Sequence, residues 1–270
     1  MKDIANITIG CIGAGTMGSA LLKAMTKIIR PEKIFVSSLN FENAKKFSDE
    51  TGCTVCKTNT EVASFSDFLF LGVKPSVVFQ VLNEIKSSLR NSSVIISMAA
   101  GIPLEKLQTA AEGFSVMRIM PNMSALVEQA ITALCCSADV SADDIEVVTK
   151  LLECAGRVEN VSESLMDCVT GVSGSSPAFV FMFIEALADA AVRYGMPRQQ
   201  AYVYAAQTVK GAASMVLEDG RCPAALKDAV CSPAGTTIEG VACLEKNGFR
   251  SAVIEAVSVV CDKAKNLSKK

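Results

Sequence analysis

Three glycines spaced as Gly13-x-Gly15-x-x-Gly18 follow the apolar run Ile7-Thr8-Ile9-Gly10-Cys11-Ile12 and lead into an amphipathic stretch. Residues of this kind, in this order, can hold a pyrophosphate. The first glycine permits the tight turn, the second lets the backbone approach the phosphates, and the third lets a helix pack on the strand. The helix that follows aims its unpaired N–H groups and positive dipole end at the same place. A glycine-rich turn that binds nothing is the plain alternative. The strand before the glycines and the helix after them favour a dinucleotide.

A second cluster with chemical content is Ser232-Pro233-Ala234-Gly235-Thr236-Thr237. A helix ends before it and another begins at the threonines. Backbone N–H groups at such a start form an anion site sized for a carboxylate, and threonine hydroxyls can hydrogen-bond a neighbouring NH or oxygen. The alternative is an ordinary threonine helix cap.

Two further segments belong at strand ends, where open parallel sheets bind ligands. Gly72-Val73-Lys74-Pro75 offers a lysine to a ribose or phosphate, and Ser97-Met98-Ala99-Ala100-Gly101 offers small residues to a nicotinamide ring. About 20 residues beyond the glycines, an NAD enzyme places an acid on the ribose hydroxyls. Here the chain reads Phe35-Val36-Ser37-Ser38-Leu39-Asn40, with no acid and no arginine. A carboxylate would repel a 2′-phosphate, so its absence favours NADPH, with NADH possible.

The chain has no histidine. A dehydrogenase acting on an alcohol or ketone usually needs a positioned proton carrier. Lys, Tyr, Cys, a carboxylate, a hydroxyl or water must serve, or the substrate must need little help from an acid. The eleven cysteines form no framework. Cys53 and Cys56 have zinc-like spacing, but no second pair follows them, so no metal is expected and the thiols read as reduced packing residues of a cytoplasmic protein.

These groups need a scaffold. Apolar runs at 34–36, 68–73, 94–97 and 116–120 alternate with helical patterns near 16–29, 41–50, 76–89 and 104–111, and two more strands at 132–135 and 156–160 flank a helix near 142–154. Such alternation predicts an α/β fold with a doubly wound parallel sheet. After about Val161 the pattern is almost wholly helical: 163–172, 175–194, 197–218, 223–230, 236–246 and 249–267. The expected division is a dinucleotide domain over 1–160 and a helical domain over 161–270. The helical half carries more apolar faces than one small bundle can hide, which points to burial against a second copy of the chain. The Lys269-Lys270 tail is read as solvated.

The 270 residues, half of them hydrophobic, can bury a large core, and the net charge of −2 provides no basic field for nucleic acid. The greasiest stretch, Ala178 to Ile184, ends at Glu185, so no membrane span is expected, and no signal peptide is read at the start.

The glycine loop, Val73-Lys74-Pro75, Ala99-Ala100-Gly101, Met120-Pro121-Asn122, Thr170-Gly171-Val172-Ser173-Gly174-Ser175-Ser176-Pro177 and the stretch from Pro223 through Ser232–Thr237 to Glu245 together resemble the pyrroline-5-carboxylate reductases over residues 7 to 262. The resemblance implies a Rossmann-type N-terminal domain with an all-helical C-terminal dimerisation domain, and reduction of a cyclic imine to L-proline by NAD(P)H. It implies dinucleotide contacts at Ile12, Gly13, Ala14, Gly15, Thr16, Met17, Ser38, Asn40, Asn59, Val73, Lys74, Pro75, Ala99, Ala100 and Gly101. It places the substrate at Gly235, Thr236 and Thr237, with the Thr237 hydroxyl near the ring nitrogen and Glu163 close by. It also implies a homodimer through the C-terminal helices, with assembly as far as a decamer in some members. Ser176 stands where the family usually has glycine, Phe179 where tyrosine is common, and Ala229 where some members carry an asparagine that touches the cofactor. An imine reductase of another ring size, a β-hydroxyacid dehydrogenase and a non-enzymatic NADPH-sensing module are the competing readings. The second of these lacks its expected lysine on the helix after the second glycine-rich turn.

Overall fold

The computed structural model of the chain describes residues 3–268, so the Lys269-Lys270 tail lies outside the described residues. Eight strands form one sheet: β1 (Ile9–Ile12), β2 (Ile34–Ser37), β3 (Thr54–Val55), β4 (Phe68–Leu71), β5 (Val94–Ser97), β6 (Ser115–Met120), β7 (Ala130–Cys136) and β8 (Gly156–Asn160). Their order is β3-β2-β1-β4-β5-β6-β7-β8. The chain leaves β1 toward β2 on one side and returns to β4 on the other. This reversal opens the crevice beyond the carboxyl ends of β1 and β4.

Helices α1 (Thr16–Met25), α2 (Phe41–Thr51), α3 (Asn59–Phe65), α4 (Val78–Ile85), α5 (Leu104–Ala110) and α6 (Ala142–Glu153) cover the sheet. β4 is apolar and buried at every position, as a strand covered on both faces requires. Phe68 and Phe70 pack into the core on one face with Ile9, Cys11 and Leu21, while Leu69 and Leu71 pack on the other with Val62, Leu82 and Ile95. Each such side chain, fully buried, contributes about 1.5–3 kcal/mol.

The sheet departs from the all-parallel expectation at one place: β7 runs antiparallel to β6. A short connection, Pro121–Gln129, joins them, too short for the crossover that a parallel return requires. The structure adds β3 and α3, which the apolar pattern does not mark. β3 is two residues long, and α3 depends on a capping box in which Thr58 accepts from the Glu61 N–H and Glu61 reaches back to the Thr58 N–H. Cys53 and Cys56 pack into the cores on opposite faces of the sheet, which prevents them from sharing one ion.

The C-terminal helices are α7 (Met166–Val169), α8 (Ser176–Arg193), α9 (Arg198–Asp219), α10 (Pro223–Val230), α11 (Thr236–Lys246) and α12 (Phe249–Ser268). Two corrections arise here. The glycine-rich segment Thr170–Ser175, expected to separate two helices, is a π-helical turn that continues α7 directly. Helical residues therefore run from Glu163 to Arg193, and this stretch is long and apolar enough to cross a membrane by length and composition, contrary to the expectation from Glu185. The chain forms two compact units. One comprises the sheet with its helices through Ser175 and the end of α12 from Val260, and the other is Ser176–Val259.

In the second unit, α8 and α9 pack through Ala188, Ala201 and Ala205, joined by Ile184, Ala191, Val192 and Met196. Arg198 Nη1 donates to Asp189 Oδ1 at 2.5 Å, and the Phe183 and Phe249 rings lie 5.9 Å apart. This core is small for 84 residues. Phe181, Met182, Val203, Leu217 and Ile254 are all more than half exposed. An apolar surface of that kind marks an interface.

Candidate active site

At the switch point, the β1–α1 loop is stitched to both neighbouring strand ends. Gly13 N–H donates to Ser37 O at 2.9 Å, and Gly72 N–H donates to Ile12 O at 2.8 Å. Gly13 has φ +104°, and a Cβ there would lie 2.6 Å from Gly72 O. A Cβ at Gly18 would lie 2.5 Å from Gly13 O, so α1 can start against the loop only without one. Gly15 is different: a Cβ there meets nothing within 4 Å. Neither fold nor φ requires glycine at that position, and the open space is where a phosphate would come against the backbone. Gly15 is also the N-cap of α1 and supplies no side-chain acceptor, so the first-turn N–H groups of a ten-residue helix have no cap.

The other expected coenzyme residues surround this loop within the same unit. Ser38 is half-buried just past β2. Asn40 caps α2, its Oδ1 accepting from Glu42 N–H at 3.1 Å. The buried Ser37 Oγ donates to Asn59 Oδ1 at 2.8 Å, and Asn59 Nδ2 donates to Glu84 Oε2 at 3.0 Å, which fixes the amide at the β2 end. Leu39 stands fully exposed between Ser38 and Asn40, a surface that could lie along an adenine and that polarity-based reading passes over. Val73 is half-buried, Lys74 and Pro75 are exposed, and among the described residues no carboxylate pairs with Lys74. Ala99, Ala100 and Gly101 form the turn after β5, with Gly101 at φ +74°. An open helix start, a glycine without steric reason and a neutral β2 end suit NADP(H): the main chain of 13–17 would hold the pyrophosphate, and Ser38, Asn40 and Lys74 would meet the ribose side.

Glu163 is engaged within the chain. Its Oε1 accepts from Arg118 Nη1 at 2.5 Å and from Leu104 N–H at 2.9 Å, while Oε2 is buried without a hydrogen-bond partner. Arg118 is 3% exposed on β6 and was not legible as a site residue, since a single arginine inside an apolar strand gives no pattern. Two of the motifs also meet: Asn122 Nδ2 donates to Ser173 O at 3.1 Å. π-helical turns recur at functional sites.

In the second unit, Gly235 rather than a threonine is the N-cap of α11, and no side chain caps the helix. Thr236 and Thr237 are its first two residues and both are exposed. A Cβ on Gly235 would lie 2.2 Å from Ser232 Oγ, and Ala234 is held at φ +55°, a conformation costing non-glycine residues roughly 1–3 kcal/mol. The turn thus stays tight and leaves the α11 N–H groups open to an anion.

The thiols behave as packing residues. Burial pushes Cys11 up from 9.0 to about 12, and Cys135 and Cys136 to about 11, with the Glu163 charge adding to the effect at Cys135. The folded protein retains these protons where the unfolded chain releases them. Stability should therefore be full below about pH 9 and fall from there toward pH 12, by up to about 1.4 kcal/mol per pH unit per thiol. Chemical denaturation at pH 8 and pH 10.5 tests this. Cys11→Ala should flatten the alkaline decline, and equal slopes for both proteins would contradict the assignment to Cys11.

A doubly wound sheet with a glycine-lined, uncapped helix start at its switch point defines a nicotinamide-dinucleotide oxidoreductase domain. Residues 8–101 match the family described as NADP oxidoreductase coenzyme F420-dependent, and residues 163–267 match pyrroline-5-carboxylate reductase dimerisation. The pyrroline-5-carboxylate reductase of Escherichia coli K12 is 46% identical over 97% of this chain and 98% of its own length, and that of Methanosarcina acetivorans is 43% identical over 98% and 99%. The Plasmodium falciparum pyrroline carboxylate reductase, solved with NADP bound, superposes with a TM-score of 0.88 at 33% identity, covering 98% of this chain and 100% of that one. The Streptococcus pyogenes enzyme superposes at 0.86 and 34%, with the same coverage. The chain belongs to the pyrroline-5-carboxylate reductase family. The apolar run from Glu163 to Arg193 lies within the dimerisation match.

Proposed function

We propose that this chain uses NADPH to reduce 1-pyrroline-5-carboxylate to L-proline in the cytoplasm, and accepts NADH less well. The observation that carries the reading is the pair of open helix starts, α1 behind Gly15 and α11 behind Gly235, neither closed by its own side chains. One suits a pyrophosphate and the other a small carboxylate.

When bound, the reduced nicotinamide supplies a hydride. The chain's own task is positioning. The N–H groups of Thr236 and its successors hold the substrate carboxylate, and the Thr237 hydroxyl orients the ring nitrogen and stabilises the amine as it forms. A protonated imine carbon is already electrophilic, so no histidine is required, and alignment supplies most of the acceleration. Mixing the purified protein with chemically prepared pyrroline-5-carboxylate and either reduced nicotinamide, then following coenzyme absorbance, tests the reading. Oxidation of a 3-hydroxy acid with no turnover of the imine would overturn it.

The functional unit in this reading is a homodimer through residues 161–270, with dimers assembling further, up to a decamer. Phe181→Asp and Val203→Asp place charge on the exposed apolar faces of α8 and α9. Each should weaken dimerisation at least about 100-fold, as loss of a buried interface anchor does. Sedimentation velocity across a dilution series reads this directly, and unchanged dimers would remove these faces from the interface.

A further inference from the structure

Strand β2 ends on Ser37 without an acid of its own, yet the fold brings one there from α4. Ser37 is buried; its carbonyl oxygen accepts from Gly13 N–H, and its hydroxyl donates to Asn59 Oδ1 at 2.8 Å. Asn59 is the first residue of α3 and is half-buried. Its Nδ2 donates in turn to Glu84 Oε2 at 3.0 Å. Val62 of α3 and Val81, Leu82 and Ile85 of α4 are buried in one core with Ile12 and Leu71. The helices that carry the amide and the carboxylate are thus seated on the sheet, and one line of hydrogen bonds runs from the glycine loop to Glu84. The second amide N–H of Asn59 has no partner among the described residues.

A hydroxyl can donate or accept, so Ser37 alone would take the Asn59 amide in either of its two orientations. A carboxylate only accepts. Glu84 therefore decides which way the amide lies, because reversing it would set the Asn59 carbonyl oxygen against the carboxylate. With the nitrogen at Glu84, one N–H is used there and the other remains. The end of β2 is where a doubly wound sheet receives the adenosine ribose. A 2′-phosphate presents acceptors, so a spare N–H suits it and a carbonyl oxygen in the same place would repel it. In an NAD site an acid at this end takes the ribose hydroxyls itself. Here Glu84 Oε2 is occupied by the amide instead.

We propose that Glu84 is a positioning residue that sets the polarity of the Asn59 amide, so that the β2 end offers an N–H rather than a carbonyl oxygen to the 2′-phosphate of NADPH. The inference rests on the coenzyme reading given under the proposed function and adds a residue to it. Glu84 is exposed on α4, and its contribution passes through Asn59. Losing it frees the amide to turn between orientations, and binding must then order that side chain again. NADH is affected less, because a ribose hydroxyl both donates and accepts and is served by either orientation.

Calorimetric titration of the full-length protein with NADPH and with NADH tests this. In Glu84→Ala the NADPH Kd should rise about three- to tenfold, the cost of ordering one freed polar side chain, while the NADH Kd changes less than about twofold. The melting temperature should stay at the wild-type value, because the carboxylate is exposed and alanine suits a helix. In an Asn59→Ala background the same Glu84→Ala change should have no further effect on NADPH, since no amide is left to orient. An NADPH loss that persists undiminished in that background would overturn the proposal, because the carboxylate would then act on the coenzyme directly. So would tighter NADPH binding in Glu84→Ala, the sign of plain charge repulsion. Equal weakening of NADH and NADPH would point to a ribose-hydroxyl contact or a merely structural tie and would overturn it too, as would unchanged Kd values for both. These are binding measurements. A wild-type protein that binds NADPH but leaves the imine untouched would refute the proposed reaction, while the role of Glu84 would still stand or fall on the Kd values.

Discussion

Gly15→Ala should leave the protein folded and deprive it of its coenzyme. A methyl at Gly15 meets no protein atom within 4 Å, so thermal stability should stay within about 0.5 kcal/mol of wild type. The same methyl occupies the space in front of the α1 N–H groups where the pyrophosphate would approach. NADPH affinity should fall about 100-fold, corresponding to about 2.7 kcal/mol. Gly13→Ala supplies the contrast. Its φ of +104° disfavours any side chain, and the new carbon would press on the Gly72 carbonyl at 2.6 Å. Strain and overpacking together should cost about 2–5 kcal/mol of stability, so binding and folding fail together. Calorimetric titration beside thermal melting separates the two variants. Full NADPH affinity in Gly15→Ala would mean that the open space above α1 is not the phosphate site.

Thr237→Ala should lower kcat by roughly 10- to 1000-fold, the range expected for one hydrogen bond made to charge developing in the transition state. Thr237 is exposed at the second position of α11, where it caps nothing, so its removal should leave the melting temperature almost unchanged. Thr236→Ala should be milder, because its proposed part is played by the backbone N–H and survives the substitution. Thr237→Ser keeps the hydroxyl and should recover most of the rate. Steady-state kinetics with saturating NADPH reads all three. A Thr237→Ala enzyme turning over at the wild-type rate would move the ring-nitrogen contact to another group.

These effects differ because the residues depend on the fold to different degrees. Gly13 and Gly18 are required by neighbouring backbone, Gly15 and Thr237 by nothing in the chain. A residue type without a structural reason at an open helix start points to a ligand, and the space around each glycine is consistent with the roles their spacing implies.

Much of the architecture was readable from local pattern. The strands at 34–36, 94–97 and 156–160 and helices 223–230 and 236–246 fall where the apolar runs and punctuating prolines and glycines put them, because burial on both faces demands unbroken apolar runs and proline starts helices well. The β1–α1 loop and the α11 start were legible for a related reason: they are short, contiguous and chemically constrained. Tertiary structure alone decided what depends on residues far apart in sequence. Two features missed in the sequence were local instead: the antiparallel β7 follows from the short Pro121–Gln129 connection, and α3 from the Thr58–Glu61 capping pair, which a search for apolar stripes passes over. The π-helical continuation through Gly171 and Gly174, together with the reach of Asn122 to Ser173, overrides the local preference of glycine for a break. Arg118 meets Glu163 across 45 residues of chain. A pairing between one strand and a later helix leaves no periodic trace in either segment, so only folding them together brings it into view.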